Sequence, residues 1–227
     1  MADRSILSHF AAFAFEPVFW ALPQDERAKI AGEWRKALGG AAEASHLYQT
    51  FGTRTDSDVL LWSTVSAEND SDAADFFAKF TSAMGPYREF VTMIDVLWGL
   101  TRPSQYARGT SEREIDPMGE RTLQYLIVYP FVKTHEWYQM PPEERRRMMT
   151  SHIRVGKTHQ GIDQLLLYST GLQDQEFVVA YESDDLAAFS LLVSELRMTE
   201  ARLYTERDTP VHVGMYVGPD EPTDSWL

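Results

Sequence analysis

Hydrophobic and polar positions in the second half of the chain alternate in some stretches and recur with a helical period in others. Residues 123–133 alternate, which indicates a strand whose odd-numbered side chains share one face. Comparable patterns predict strands near 162–169, 175–182 and 204–217, and helices near 141–159 and 184–197. This order of elements is that of the ferredoxin-like unit, in which helices cover one face of an antiparallel sheet.

The same unit occurs in the first half of the chain. A Trp followed by Pro and acidic residues opens a helical pattern at 20–27 and again at 137–145. An apolar run followed by acids and a second helical pattern occurs at 58–80 and again at 176–192, and the offset is near 117 residues in both comparisons. The repetition predicts an α+β protein made of two fused ferredoxin-like (βαββαβ) halves that form an α+β barrel.

The predicted organisation has four parts. Residues 1–100 form the N-terminal ferredoxin-like half, and residues 121–217 form the C-terminal half, which holds the candidate site residues. Residues 101–120 are rich in Pro, Ser, Gly and charge, which is typical of a connecting loop. Residues 218–227 are predicted to be an acidic, loosely held tail.

Composition narrows the classes of function. The formal net charge is −13, which disfavours binding to nucleic acids and to anionic membranes because both carry negative charge. The chain has no Cys, which excludes a thiolate ligand and a Cys nucleophile. The sequence has neither the pattern of a signal peptide nor an apolar stretch of transmembrane length, so we expect a cytoplasmic protein without membrane insertion.

His152 is the best ligand candidate among the six His residues. The motifs of nucleotide-binding, zinc-protease and serine-hydrolase sites are missing from the sequence. His152 lies inside the predicted helix 141–159, on the same face as Met149, Val155 and Gly156. An imidazole on an apolar face is a candidate heme-iron ligand, and Gly156, one turn further on, would leave room for a flat ring. The same spacing also fits a hydrogen-bonded core histidine.

Four other residues are candidates for the same pocket. Tyr129 and Lys133 share one face of the first strand, where they would supply a redox-active phenol and an anchor for a carboxylate. The alternative is a core-packing aromatic and a solvated Lys at the strand end. Gln164 would add a neutral polar group from the next strand, although a lone Gln on a strand is commonplace. Glu200 is the nearest candidate for the hydrogen-bond partner that a ligating His152 needs, and the alternative is an acid in a surface charge cluster.

Longer motifs resemble those of the chlorite dismutase-like heme proteins and, within that family, those of the coproheme decarboxylases. The resemblance covers nearly the whole chain, with WGLTRPSQY at 98–106, YPFVKTHEWY at 129–138, PEERRRMM at 142–149, HIRVG at 152–156, YSTGLQDQEFVV at 168–179 and LRMTEAR at 196–202. It implies the fold predicted above, with a porphyrin in the C-terminal half. It also implies that His152 is the proximal iron ligand, that Glu200 is its hydrogen-bond partner and that Trp137 lines the pocket.

The resemblance also implies a reaction. Coproheme decarboxylases use hydrogen peroxide to remove carbon dioxide from two propionates of Fe-coproporphyrin III, which is both substrate and redox centre, and so produce heme b. Tyr129 matches the Tyr that becomes a radical and takes hydrogen from a propionate, and Lys133 matches the Lys beside the propionates. The implied partners are coproheme, hydrogen peroxide and ferrochelatase, and the implied assembly is a homo-oligomer, commonly a ring pentamer.

Gln164 separates the chain from true chlorite dismutases. It stands where they carry an Arg, five residues before the Ser of a Ser-Thr-Gly turn, and one group of coproheme decarboxylases has Gln there. A second group takes a distal His from the connecting loop, but residues 101–120 contain no His. The segments 129–137 and 199–202 resemble that second group, so the subgroup stays open. Alternative functions are chlorite dismutation, weak peroxidase activity, or a non-catalytic heme carrier or sensor.

Overall fold

Two sets of strands and helices follow each other along the chain. The structure, a computed structural model, describes residues 5–103, 106, 113–121 and 123–225. The strands are β1 (Ile6–Phe15), β2 (Ala44–Gln49), β3 (Val59–Ser66), β4 (Val91–Leu100), β5 (Tyr125–Lys133), β6 (Ile162–Tyr168), β7 (Phe177–Ser183), β8 (Thr205–Arg207) and β9 (His212–Val217). The helices are α1 (Pro17–Trp20), α2 (Gln24–Gly39), α3 (Asp72–Met84), α4 (His135–Gln139), α5 (Pro142–Thr158) and α6 (Leu186–Arg197). Short 3-10 turns occupy Gly85–Tyr87, Glu200–Tyr204 and Thr223–Ser225.

The starts of the long helices follow from local sequence. Both α2 and α5 are preceded by a Pro and carry two acidic residues in the first turn, where negative charge interacts favourably with the helix dipole. α6 begins after Asp185, whose carboxylate accepts hydrogen bonds from the backbone N–H groups of Ala187 and Ala188. The repeated sequence pattern therefore produces a repeated helix geometry in the two halves.

Within the described residues, eight strands close into a barrel in the order β7-β6-β4-β1-β3-β2-β9-β5, and β5 pairs back onto β7. Each half contributes four adjacent antiparallel strands. The halves join where β2 meets β9 and where β4 meets β6. The predicted α+β fold with two ferredoxin-like units is confirmed.

The last predicted strand differs from the observed one. The sequence pattern predicts a single strand near 204–217, whereas the structure has the short β8, then four residues outside any strand, and then β9. Pro210 lies in this interruption, and proline has no backbone N–H to donate to a sheet ladder. β8 instead pairs with the end of β5, beside Lys133.

The barrel interior and the helix-covered outer faces are separate hydrophobic layers. Phe10, Leu60 and Trp62 are among the side chains that fill the interior, whereas Trp34 and other helix residues cover the outer face of the N-terminal sheet. The interior also holds a buried ion pair between Arg121 and Glu182, 3.1 Å apart. Because the interior is filled, a pocket for a large flat ligand has to lie on the outer face.

The segments at the ends of the C-terminal half are described in part. The backbone of Gln164 exchanges hydrogen bonds with Arg113 and Ile115, which belong to the predicted connecting loop, and the rest of that loop up to residue 112 lies largely outside the described residues. At the start of the tail, Arg35 donates to the carbonyl groups of Val217 and Gly218. None of the helices in the described ranges has the length and apolar character needed to cross a membrane.

Candidate functional site

The outer face of the C-terminal sheet carries three of the predicted site residues. Tyr129 on β5 lies across β7 from Leu166 on β6. In the next row, Gln164 lies directly beside Tyr181 of β7. Lys133 is on the same face of β5 as Tyr129, because side chains four positions apart on a strand point the same way. These side chains therefore converge on the side of the sheet that α5 and α6 approach.

Tyr129 is a mostly buried phenol with a second phenol beside it. Its ring is nearly parallel to that of Tyr181, with ring centres 6.1 Å apart, and the two side chains are hydrogen-bonded. Burial raises the pKa of Tyr129 to about 12. The side chain is therefore a neutral phenol near neutral pH, which is the form that can give up a hydrogen atom.

Lys133 is buried although it ends a strand, with 8% of its surface exposed. Its Nζ donates to the Ala201 carbonyl at 3.1 Å and to Thr205 Oγ1 at 3.3 Å. The ammonium lies 4.5 Å from the ring centre of the buried Trp137, which is a cation–π contact. Burial and, to a smaller extent, the positive charge of Arg202 lower the pKa of Lys133 to about 8. Lys133 and Trp137 are thus held in contact, and the lowered pKa means that the ammonium loses its proton at a lower pH than a solvated lysine does.

His152 lies on α5 and faces the segment that follows α6. Its Nδ1 is 3.1 Å from Thr199 Oγ1. Burial, together with the positive charge of Lys133, lowers the pKa of His152 to about 4. The imidazole is therefore neutral near neutral pH, and a neutral imidazole has a lone pair that can bind a metal. One such ligand would be sufficient to hold an iron ion that a porphyrin already binds.

The helix that carries His152 leaves space that its counterpart in the first half fills. Trp34 and His152 are both the eleventh residue of their helices, and Trp34 is fully buried against Phe13 and Phe15. α2 buries three of its residues, whereas α5, which is one residue longer, buries Met148 alone. A Cβ placed on Gly156 would meet no atom within 4 Å. The residues of the C-terminal half therefore fit a flat ligand beside α5, where the N-terminal half has an indole.

Gln164 has an exposed side chain on β6. Its backbone N–H donates to the Arg113 carbonyl at 2.9 Å, and its carbonyl accepts from the Ile115 N–H at 3.1 Å. The described end of the connecting loop therefore lies against the strand position that carries Gln164. The Gln164 side chain lies on the same face of β6 as Leu166, as predicted, and it is exposed whereas the neighbouring Tyr181 is buried.

Glu200 does not make the contact that the resemblance implied for it. Its carboxylate is 2.7 Å from the guanidinium of Arg147, and both side chains are more than half exposed. The hydrogen bond to His152 is made by Thr199, the preceding residue. Thr199 precedes the 3-10 turn and contacts His152 of α5, whereas Glu200 begins that turn and contacts Arg147 at an exposed position on the same helix.

Sequence reasoning missed two residues of the site. Thr199 stands in the same LRMTEAR motif as Glu200, and its short hydroxyl gave no separate signal. Tyr181 shares the outward face of β7 with Val179, so the strand period would have placed it beside Gln164 and Tyr129. Both residues become recognisable once the strand register and the end of α6 are known.

Comparisons with known proteins agree with this fold. The family model for chlorite dismutase matches residues 19–217. A coproheme decarboxylase of Mycolicibacterium smegmatis is 31% identical over 173 residues, which cover 74% of this chain and 71% of the relative. A coproheme decarboxylase of Staphylococcus saprophyticus is 27% identical over 220 residues, which cover 89% of this chain and 88% of the relative.

Solved structures with the same fold include chlorite dismutase from Candidatus Nitrospira defluvii. Its complex with imidazole superposes with a TM-score of 0.83 at 22% identity and covers 97% of this chain and 94% of that one. A variant of the same enzyme in complex with cyanide has a TM-score of 0.81 at 24% identity and covers 100% of this chain and 99% of that one.

Proposed function

This chain belongs to the chlorite dismutase family, and from that premise we propose that it is a coproheme decarboxylase. The substrate is iron coproporphyrin III, the oxidant is hydrogen peroxide, and the product is heme b. The observation that carries the proposal is the open space beside Gly156 on α5, the helix whose neutral His152 lies within the electrostatic influence of Lys133. The two coproheme decarboxylases similar to this chain support the same assignment.

The C-terminal half would hold the substrate through a few named contacts. The Nε2 atom of His152 would bind the iron, and the absence of a side chain on Gly156 would admit the ring. The ammonium of Lys133, which makes a cation–π contact with Trp137, would attract a propionate. When bound, coproheme supplies the oxidising equivalents on reaction with hydrogen peroxide. The protein therefore contributes binding, orientation and a phenol.

Tyr129 would carry the oxidation from the porphyrin to the propionate. Its phenol gives up one electron and its hydroxyl proton, and its oxygen then takes a hydrogen atom from the propionate side chain. Loss of a second electron and of carbon dioxide leaves a vinyl group. For each propionic acid, one hydrogen peroxide is consumed and one carbon dioxide and two water molecules are formed, so atoms and electrons balance. Two such rounds convert coproheme into heme b.

Titration of the coproheme complex with hydrogen peroxide tests the proposed function. Absorbance would follow the pigment, and mass spectrometry would follow the porphyrin. We expect two successive decreases in the mass of the porphyrin, each equal to one carbon dioxide and two hydrogen atoms, ending at heme b. Binding without any loss of mass would contradict the decarboxylase proposal and would favour a heme carrier or a peroxidase. An oxygen electrode with chlorite as substrate would detect chlorite dismutation, which the Gln at position 164 disfavours.

The affinity for coproheme is expected to fall as the pH rises above about 8, the value to which burial lowers the pKa of Lys133. Below that pH the ammonium attracts a propionate, and above it the neutral amine does not. The dissociation constant should then rise by about tenfold per pH unit until the pKa in the complex is reached. The measurement is a fluorescence-quenching titration between pH 7 and 10.

A Lys133→Met variant is the control for this pH dependence. Methionine keeps an unbranched apolar chain beside Trp137 but cannot be protonated. The variant should bind coproheme more weakly at pH 7 and should lack the additional weakening above pH 8. If the dissociation constants of the two proteins depended on pH in the same way, Lys133 would not be a substrate-binding residue.

Our further proposals about the oligomeric state and the subcellular location rest on the family resemblance. We propose a homo-oligomer with five subunits in a ring, a cytoplasmic location, and a ferrochelatase as the protein partner that supplies coproheme. Several apolar side chains outside the pocket are more than half exposed, among them Leu191, Met198 and Leu203, and burial of such side chains favours association between subunits. Sedimentation analysis of the purified protein would measure the number of subunits.

A further inference from the structure

Thr199 occupies a position between the candidate iron ligand and the end of a helix. Its Oγ1 is 3.1 Å from Nδ1 of His152 and 2.7 Å from the carbonyl oxygen of Leu196. Leu196 belongs to the last turn of α6, where backbone carbonyl groups carry partial negative charge, and its carbonyl also accepts from the backbone N–H of Thr199 at 3.1 Å. The three groups form a chain that runs from α6 through the hydroxyl to α5.

The direction of each hydrogen bond in this chain follows from the number of hydrogens. A threonine hydroxyl has one hydrogen, and a backbone carbonyl can only accept. The hydrogen of Thr199 therefore goes to Leu196, and its oxygen accepts the hydrogen on Nδ1 of His152. A neutral imidazole carries one hydrogen, so the lone pair lies on Nε2. Thr199 thus selects the tautomer in which Nε2 is available to a metal.

We propose that Thr199, rather than Glu200, is the positioning residue for the iron ligand His152. The inference rests on the proposed function, because it concerns the same coproheme site. Glu200 is more than half exposed and is engaged with Arg147 at 2.7 Å, whereas Thr199 is partly buried and already holds the ring. A neutral hydroxyl acceptor leaves less negative charge on the imidazole than a carboxylate would, so His152 is a weaker electron donor to iron than a carboxylate-paired His.

The same segment also positions the predicted carboxylate anchor. The Ala201 carbonyl and Thr205 Oγ1 accept from Lys133 Nζ, and the backbone N–H of Thr134 donates to the Tyr204 carbonyl at 3.0 Å. Residues 199–205 therefore contact both the iron ligand and Lys133.

The experiment compares three variants. Thr199→Val keeps the shape of the side chain and removes the hydroxyl, Thr199→Ser keeps the hydroxyl, and Glu200→Gln removes the carboxylate charge while retaining its size. Nitrogen NMR of labelled, porphyrin-free protein would report the tautomer of His152, with a His152→Ala sample to assign its signals. The iron–histidine stretching frequency of the ferrous coproheme complex and the coproheme dissociation constant would be measured on the same proteins.

We expect Thr199→Val to lose the preference for hydrogen on Nδ1, to lower the iron–histidine stretching frequency and to weaken coproheme binding by about tenfold. Thr199→Ser and Glu200→Gln should retain the values of the unaltered protein. An unchanged tautomer in folded Thr199→Val, or a change of the stretching frequency in Glu200→Gln alone, would overturn the proposal. The tautomer measurement needs no porphyrin, so its outcome does not depend on whether the chain is a coproheme decarboxylase.

Discussion

Replacing Tyr129 by phenylalanine is expected to leave coproheme bound but to stop its conversion by hydrogen peroxide. Phenylalanine keeps the ring beside Tyr181 and removes the hydroxyl that would exchange a hydrogen atom with the propionate. We expect the first decarboxylation to slow by at least about 10³-fold, because the reacting group itself is removed. Stopped-flow absorbance with mass spectrometry of the porphyrin would measure this rate.

The same substitution should also lower stability. Tyr181 is buried and hydrogen-bonded to Tyr129, so the variant leaves a buried hydroxyl without that partner. Such a loss costs about 1–3 kcal/mol in the free energy of unfolding, which denaturant titration can measure. Tyr125→Phe is the matched control, because it makes the same change on the same strand, four residues away. Tyr125→Phe should convert coproheme at the normal rate, and normal turnover by Tyr129→Phe would exclude Tyr129 from the reaction.

Replacing His152 by alanine is expected to remove the protein ligand to the iron. The dissociation constant for coproheme should rise by at least about a hundredfold, since a direct metal ligand contributes more than the outer contacts that orient it. The substitution also enlarges the space beside Gly156, so added imidazole should enter and restore the absorbance spectrum of the complex. Absorbance titration with and without imidazole would measure both effects.

His159→Ala is the control for this prediction. His159 follows α5 and pairs with Glu195 at 2.8 Å, away from the contact between His152 and Thr199. It should therefore bind coproheme with the affinity of the unaltered protein. An unchanged spectrum and affinity in His152→Ala would mean that another residue binds the iron, and the site would then have to be assigned elsewhere on the chain.

The proposed site lies in one half of a duplicated barrel, and the two halves differ at one matching helix position. At the eleventh position of the first long helix, the N-terminal half has Trp34, which is fully buried, and the C-terminal half has His152. The exchange of an indole for an imidazole removes packing volume and introduces a metal-binding atom at the same place. Under the proposed function, the C-terminal half would need both the space that α5 leaves open and the imidazole that α5 carries.

Local sequence determined most of the fold. The alternation at 123–133, the acidic first turns of α2 and α5, and the offset near 117 residues depend on neighbours along the chain, and each predicted an element that the structure contains. The same local information identified His152 on an apolar helix face, and Tyr129 and Lys133 on one strand face. It went wrong at 204–217, where a continuous strand was predicted and the chain around Pro210 leaves the sheet.

Tertiary structure decided which groups meet and how far they are buried. The sequence also fitted Lys133 as a solvated residue at the end of a strand, whereas in the structure Trp137 and the 199–205 segment enclose it. The partner of His152 lies 47 residues further along the chain, and the adjacent residues Thr199 and Glu200 contact different residues of α5. Whether two distant segments form a hydrogen bond depends on differences of tenths of an ångström in their relative position. The sequence could therefore indicate the LRMTEAR motif, but only the packing of α5 against the end of α6 selected Thr199 over Glu200.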